Sequence, residues 1–271
     1  MSLTVYGMDV GFYSHLGSYS LEARCEMLAE LGCGATNLTL WSERAWSDLD
    51  RLDAVASTTG LEVAALYTTV DVTAPLDAPE VARVLGLIEA YGQHPIELAF
   101  SAGDDAGARR FLDAALDAAG RSGAQLRLYP HFAFWLERVD DALALLRAYD
   151  TDRLGLTFPA FHVYALEGAG FLGALDSAAP YLRGANTNGS RRLAGQYFPV
   201  TIEPVGEGDF DNFAFLGRLR DLGYDAPLGI QAYGVGGDAY EHVRRSVAAV
   251  RDIERRLDAH ADWARLVPDP L

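Results

Sequence analysis

Two histidines of the chain stand where their side chains could move protons. His131 ends the segment QLRLYPH and His162 ends the segment LGLTFPAFH, and each follows a short apolar run. Imidazole titrates near neutral pH, so it can accept a proton and return it. Beside a carbonyl, such a group could remove a proton from the neighbouring carbon or donate a hydrogen bond to the oxygen. Either histidine could instead be held by the backbone or by a carboxylate in a structural role.

Other polar side chains stand at or just after the ends of apolar runs. They are Asp9, Tyr67, Asp71, Tyr129, Asn186, Asn188, Arg191, Arg192, Glu203, Glu207, Gln231 and Tyr233. Asp9, Asp71 and Glu203 could act as acid or base carboxylates, although aspartates in such positions often cap helices. Arg191 and Arg192 could bind a carboxylate or a phosphate through paired hydrogen bonds. Alternatively, both side chains could lie in solvent on a loop.

The composition excludes two classes of chemistry. The 271 residues include 22 basic side chains, all of them arginine, against 38 acidic ones, for a net charge of -16. Without lysine, no side-chain amine can form a Schiff base, which excludes the chemistry of lysine aldolases and pyridoxal enzymes. The acidic excess, with no basic stripe, argues against a nucleic-acid partner.

The chain carries no sign of secretion or membrane insertion. Its only cysteines, Cys25 and Cys33, are expected to be buried thiols in a reducing compartment. The first residues lack a basic region followed by an apolar run, and no apolar stretch is long enough to span a bilayer. We therefore expect a cytoplasmic protein with no membrane partner.

Eight apolar runs, each followed by helical periodicity, are expected to position these side chains. The predicted strands are 3–10, 35–40, 62–70, 96–101, 125–130, 154–158, 184–187 and 228–233. Their spacing of roughly 30 residues is that of a βα unit. No glycine-rich phosphate loop follows the first strand, so we predict one (β/α)8 TIM barrel domain over residues 1–271 rather than an open sheet. Chemistry in such barrels lies at the carboxyl ends of the strands.

Local signals predict where several helices begin and end. Gly32 is expected to end the first helix, and Asp77 with Glu80 to form a capping box. Asp105 and Asp211 are expected to cap the helices that follow them. The last helix is predicted from a stripe of apolar residues, Tyr240, Val243, Val247, Val250, Ile253 and Leu257.

Five segments of the chain carry a recognisable pattern. They are LAELGCGATNLTLW, LRLYPHF, LGLTFPAFHV, PVGEGDFDNFAFLGRLRDLGYDAPLGIQAYG and GGDAYEHVRRSVAAVRDI. Together they resemble the xylose isomerase-like TIM barrels, the superfamily of sugar phosphate isomerases and epimerases and of apurinic endonucleases. The GEGDFD loop at 206–211 is the most specific part. The resemblance implies an isomerase or epimerase for a small sugar, polyol or sugar-acid, and such relatives often form homo-oligomers.

The resemblance also implies a divalent cation, but all four of its ligand positions are changed. Tyr129 stands where an LEPH-like segment has Glu, and Pro159 where a DTFH-like segment has Asp. Asn186 replaces the His of a VHLKD-like strand, and Gln231 replaces the Glu of a VEY-like strand. Hard cations prefer anionic oxygen ligands, which this set lacks. We therefore expect no metal and no other cofactor.

A charged pair inside the barrel is expected to accompany this change. Strand parity turns Arg127 to the same side as Tyr129, toward the barrel axis. A buried arginine needs a partner, and Glu97 of the neighbouring strand is the candidate. Alternatively, Glu97 faces the helices and reaches water along its stem.

The first of three functions that remain open is an isomerase or epimerase that works without the metal. His131 or His162 would be the base, while Tyr129, Arg127 or Arg191 would polarise the carbonyl oxygen. Loss of the cation removes several kcal/mol of transition-state stabilisation, which is the weakness of this hypothesis.

The other two functions belong to different classes. A barrel that has lost catalysis could serve as a binding, regulatory or accessory subunit, with Asn186 and Gln231 binding a hydroxylated ligand. A metal-independent lyase or dehydratase would use the carboxylates of Asp9, Asp71 and Glu203.

Overall fold

Eight parallel strands alternate with helices along a computed structural model that describes residues 2–14, 16–235 and 237–266. The barrel strands are β1 (Val5–Gly7), β4 (Ala35–Thr39), β5 (Glu62–Asp71), β6 (Ile96–Ala102), β7 (Leu126–Leu128), β8 (Leu154–Pro159), β9 (Leu182–Thr187) and β10 (Leu228–Ile230). A short antiparallel hairpin, β2 (Tyr13–Ser14) and β3 (Gly17–Ser18), rises after β1. The strand order β1-β10-β9-β8-β7-β6-β5-β4 confirms the predicted (β/α)8 TIM barrel.

Helices cover the outside of the barrel. They are α1 (Leu21–Glu30), α2 (Glu43–Thr58), α3 (Pro79–Ala90), α4 (Asp105–Ser122), α5 (Val139–Tyr149), α6 (Ala160–Glu167), α7 (Phe171–Ala178), α8 (Asn212–Asp221) and α9 (Ala239–Ala259). In the described part of the chain, none of them is long and apolar enough to cross a membrane.

Alternation along the strands separates two layers of side chains. Leu66, Leu98 and Leu128 face the helices and belong to the main apolar core. Their neighbours Tyr67 and Tyr129 point the other way and pack with each other inside the barrel. Because side chains of a strand alternate between faces, this single pattern builds the core and fills the barrel interior.

The seam between β1 and β4 is closed by a side chain rather than by a full ladder. At its lower end, the amide of Gly34 donates to the carbonyl of Val5 at 3.0 Å. At its upper end, Asp9 accepts from the backbone N–H of Thr39 at 2.9 Å and from its hydroxyl at 2.6 Å. The amide of Asp9 in turn donates to Asn37 Oδ1 at 2.9 Å. Asp9 therefore completes the barrel wall.

Two of the predicted helix caps are wrong. Asp104, not Asp105, accepts from the amide of Gly107, because α4 begins at Asp105, one residue earlier than expected. Asp77 and Glu80 do not form the predicted capping box, because the N-cap position of α3 is Ala78, which has no polar side chain, and Pro79 is the first helical residue. Asp211 caps α8 as predicted, through the amide of Ala214.

Candidate active site at the barrel mouth

A small cavity opens at the carboxyl ends of the strands. Its walls are Met8, Val10, Thr39, Trp41, Tyr67, Tyr129, His131, His162 and Gln231. About 20 Å³ of it is open to water, which is room for about one water molecule. Both histidines, the strand-end tyrosines and Gln231 are thus brought together, as expected from their places at strand ends.

The two histidines lie against each other with their ring planes inclined by 35°, and they share one backbone partner. Their ring centroids are 3.8 Å apart. His131 Nδ1 lies 2.8 Å from the carbonyl oxygen of Phe132, so this nitrogen carries a proton and donates it. The amide of Phe132 donates to His162 Nδ1 at 3.2 Å, so that nitrogen is unprotonated. The rings therefore hold opposite tautomers: His131 presents a bare Nε2 and His162 presents an Nε2–H.

Local backbone geometry places both rings. His131 begins a tight turn in which its amide bonds the carbonyl of Leu136 at 2.9 Å. Ala133 in that turn has φ +68°, the left-handed region that a residue other than glycine rarely adopts. The turn lays Phe134 against His131, with ring centroids 3.9 Å apart. His162 sits in the first turn of α6, which follows β8 without a loop and so starts at the barrel mouth.

Both imidazoles are uncharged at neutral pH. Burial lowers the pKa of His131 to about 4, opposed in part by its bond to the Phe132 carbonyl. Burial, together with the neighbouring His131 ring, holds the pKa of His162 well below its usual value. A buried ring with no anionic partner loses the water that would stabilise its charge. The pair therefore acts as one acceptor and one donor rather than as a cation.

Gln231 presents its amide nitrogen to the cavity. Its Oε1 accepts from the backbone amides of Ala232 at 3.0 Å and Tyr233 at 3.2 Å. The Nε2 group is left with no acceptor among the described residues. His242 on α9 supports this strand end through a hydrogen bond to the Gln231 backbone. Gln231 is thereby fixed as a hydrogen-bond donor.

Aromatic rings form the outer wall of the cavity. Trp41 packs edge to face on Tyr67 and on Tyr233, with ring centroids 5.8 Å apart in both pairs. Trp41 lines the cavity and is 43% exposed, so it lies at the entrance, and Tyr233, which is 53% exposed, packs beside it. Below them, Asn186 Nδ2 donates to the Tyr129 hydroxyl at 3.0 Å.

The expected ion pair between Glu97 and Arg127 is wrong. The two residues are register partners on β6 and β7, yet within the described part of the chain their charged groups form no ion pair. Glu97 points into the barrel rather than toward the helices, and accepts from the Thr157 hydroxyl at 2.6 Å. Burial raises the pKa of Glu97, and the positive charge of Arg127 opposes that rise. Arg127 lies below Tyr129 on its strand and does not line the cavity.

The other charged candidates are held by loop or wall contacts. Asp71 accepts from the amide and hydroxyl of Thr73, at 2.9 and 2.6 Å. Arg191 lies 3.5 Å from Glu203 and 3.6 Å from Asp209 in the loop after β9. With Asp9 in the seam, none of the proposed carboxylates lines the cavity.

Comparison with known proteins assigns the family. Residues 25–253 match the xylose isomerase-like TIM barrel family. The chain belongs to this family. A comparison with curated protein sequences gives no significant match.

Solved structures with the same fold agree with membership in the xylose isomerase-like family. An L-ribulose 3-epimerase superposes with a TM-score of 0.76 at 16% identity, covering 99% of this chain and 100% of the other. D-Allulose 3-epimerase from Methylomonas sp. gives 0.68 at 16% identity, covering 94% and 98%. A xylose isomerase-like TIM barrel protein from Mycobacterium smegmatis, solved with magnesium, gives 0.68 at 15% identity, covering 93% and 96%. At these identities the likeness establishes the fold.

The side chains at the mouth do not fit the divalent cation implied by the family resemblance. Pro159 offers no ligand atom, and the only side-chain oxygen of Gln231 is bound to backbone amides. His162 Nδ1 accepts a hydrogen bond from the Phe132 amide, so the ring carries its proton on Nε2, and that nitrogen has no free lone pair for a metal. Across residues 2–14, 16–235 and 237–266, no three His, Cys, Asp or Glu side chains group as a metal site.

Sequence reasoning misses part of the cavity wall. Met8, Val10, Thr39 and Trp41 line it but do not stand out, because apolar residues and threonine at strand ends resemble ordinary core positions. The one available signal is Trp41, a large ring directly after the apolar run NLTL.

Proposed function

We propose that this protein is a sugar isomerase or epimerase that works without a divalent metal, with His131 as its base. The observation that carries the proposal is the pair of opposite tautomers at one cavity, which supplies a proton acceptor beside a proton donor. Family membership and the epimerases among the structural neighbours support a carbohydrate ligand.

The chemistry follows from the three polar atoms at the mouth. The Nε2 atom of His131 takes a proton from the carbon next to the substrate carbonyl, and the electrons of that C–H bond move toward the oxygen. The Nε2–H of His162 and the amide of Gln231 donate hydrogen bonds to the oxygen as it gains charge. His131 then returns its proton to the former carbonyl carbon, while the hydroxyl hydrogen on the first carbon passes to the oxygen that gained charge. The first carbon becomes the new carbonyl, which yields the isomer with atoms and electrons balanced.

A binding function without turnover is the second candidate, and one observation favours it. A histidine whose pKa is about 4 is a weak base, because proton transfer to it is unfavourable at neutral pH. If ligand binding does not raise that pKa, the same donors and acceptor would hold a sugar without changing it. The lyase hypothesis has less support, since its carboxylates lie outside the cavity.

Proton exchange separates the two candidates. The protein is treated with EDTA and incubated in D2O with L-ribulose, D-allulose or D-tagatose, and deuterium at the carbon next to the carbonyl is followed by NMR. We expect exchange with at least one sugar, falling at least about 100-fold in His131→Gln. Binding without exchange would support the second candidate, and exchange that appears only after adding Mn²⁺ would contradict metal independence.

We also propose a cytoplasmic location, a small-molecule partner and a homo-oligomeric state. Cys25 and Cys33 are both buried free thiols, as the sequence predicts, which supports a reducing cytoplasm. The net charge of -16 supports a small molecule rather than a nucleic acid as partner. Homo-oligomer formation is proposed from the family resemblance alone.

A further inference from the structure

We infer that the cavity selects an uncharged ligand and rejects the phosphate ester or carboxylate form of the same sugar. This inference rests on the proposed function, because it specifies which carbohydrate the same site takes. It follows from the charge state of the lining, from the pairing of the nearby arginines and from the polarity of the exposed donors.

The lining offers an anion no positive charge. Seven of its nine residues have side chains that cannot become cations: Met8, Val10, Thr39, Trp41, Tyr67, Tyr129 and Gln231. The other two, His131 and His162, are neutral at pH 7 because burial favours their uncharged forms. An anion placed here would lose its hydration without gaining a counter-charge, which is strongly unfavourable.

The arginine pair of the loop after β9 is occupied by other contacts. Arg191 lies between Glu203 and Asp209, at 3.5 and 3.6 Å. Arg192 donates to the Tyr164 carbonyl at 2.9 Å, and its guanidinium lies 5.5 Å from the centre of the Tyr164 ring. A phosphate would have to break these contacts in order to recruit either side chain.

The arginines on the β1 and β4 side are occupied in the same way. Arg24 is buried, with Asp9 at 3.6 Å and Asp48 at 3.4 Å. Arg44 donates to the carbonyls of Ser18 and Tyr19, both at 3.4 Å. With a net charge of -16 on the whole chain, the long-range field also repels an approaching anion.

The groups that line the cavity suit the reacting end of a neutral sugar, with the rest of the sugar outside, because the cavity itself holds about one water molecule. The Gln231 amide and His162 Nε2–H donate to a carbonyl or hydroxyl oxygen, and His131 Nε2 accepts from a hydroxyl. Trp41 and Tyr233 at the entrance give apolar faces for the C–H groups of the ring or chain. The phosphate of a bound sugar phosphate would lie against these uncharged rings.

Matched ligands test the inference. D-Allulose, D-tagatose and their 6-phosphates are titrated by calorimetry, while the imidazole resonances of His131 and His162 are followed by NMR. We expect the free sugars to shift both imidazoles and the 6-phosphates to bind at least about 100-fold more weakly. A 6-phosphate that binds as tightly as its sugar and shifts the imidazoles would overturn the inference while leaving the proposed function intact. If none of the four binds, the proposed function itself fails, and the inference fails with it.

An added cation provides a gain-of-binding control. Met8 is a buried, unbranched side chain of the lining, so Met8→Arg would bring a permanent charge to the cavity. We expect Met8→Arg to bind D-allulose 6-phosphate at least about 10-fold more tightly than Met8→Leu, the uncharged variant at the same position. If Met8→Arg fails to fold, the comparison of sugars and phosphates on the unaltered protein decides alone. A folded Met8→Arg with no gain would count against the inference.

Discussion

The imidazole rings of His131 and His162 lie 3.8 Å apart and bond, through their Nδ1 atoms, to the two ends of one residue's backbone. Phe132 accepts from one ring and donates to the other, so a single residue sets both tautomers. The chemistry proposed for the site depends on this arrangement, because it leaves one Nε2 bare and the other protonated. The two histidines therefore have different roles at the site.

Acid should destabilise the fold between about pH 6.5 and pH 4 through His131. In the unfolded chain the ring takes a proton near pH 6.5, whereas in the folded protein it stays neutral until about pH 4. Over this range the unfolded state binds more protons, so the free energy of unfolding decreases as pH falls, by up to about 3 kcal/mol. Urea unfolding at pH 7, 5.5 and 4.5 measures the loss. The free energy of unfolding of His131→Gln should fall less over the same pH range. If it falls equally steeply in the two proteins, the lowered pKa of His131 is contradicted.

Glu97 should make the protein less stable as pH rises above about 5. Its folded pKa is raised by burial, so above its unfolded pKa the folded state binds more protons than the unfolded state. The free energy of unfolding of Glu97→Gln should therefore fall less between pH 5 and 8. Thr157→Val is the matched control, since loss of the hydrogen bond to the carboxyl raises its pKa further and should steepen the decline. If the free energy of unfolding depends on pH in the same way in the unaltered protein, Glu97→Gln and Thr157→Val, the raised pKa of Glu97 is contradicted.

Removal of Asp9 should cost stability because the residue closes the barrel seam. Asp9→Ala leaves the Thr39 amide without its partner and Arg24 with one fewer counter-charge in a buried place. We expect a loss of about 3 to 5 kcal/mol in the free energy of unfolding, measured with urea. Asp71→Ala is the comparison, because that carboxylate serves only an exposed turn and should cost less than about 1 kcal/mol. Similar losses of unfolding free energy in Asp9→Ala and Asp71→Ala would argue against a role of Asp9 in closing the seam.

Restoring one carboxylate should not restore a metal site. In Gln231→Glu, one oxygen can still accept from the Ala232 and Tyr233 amides, but His162 keeps its proton on Nε2 and Pro159 still offers no ligand. We expect no stoichiometric Mn²⁺ by isothermal titration. Sugar binding should weaken about 10-fold, because a donor has become an acceptor. Tight Mn²⁺ binding by this single variant would show that the remaining donors fit a cation after all.

The repeat of βα units was enough to predict the barrel. The eight apolar runs recur near 30-residue intervals, and each becomes a strand, although β1 and β10 end several residues earlier than predicted. Asp9 and Gln231 therefore lie just past their strands, where their side chains can bond to backbone amides. The two-stranded hairpin after β1 was not predicted, because its residues 13–18 have no apolar alternation.

Part of the site could be predicted, and part could not. The strand-end rule brings His131, His162 and Gln231 to one cavity because parallel strands all end on one face. The tautomers could not be predicted, since they depend on the Phe132 backbone in a turn with an unusual φ at Ala133. The prediction of an ion pair between Glu97 and Arg127 was wrong because strand register sets which residues are neighbours but not how their charged groups are oriented.

Long-range ¹H–¹⁵N imidazole spectra at pH 7, recorded while Mn²⁺ is added, show which nitrogen of each ring carries the proton and whether either ring binds the metal. The chain has six histidines, so His131→Gln and His162→Gln suffice to assign the two signals. We expect a neutral Nδ1–H ring for His131 and a neutral Nε2–H ring for His162, neither broadened by stoichiometric Mn²⁺. Identical tautomers, a protonated ring, or selective broadening of both signals by one equivalent of Mn²⁺ would contradict this expectation.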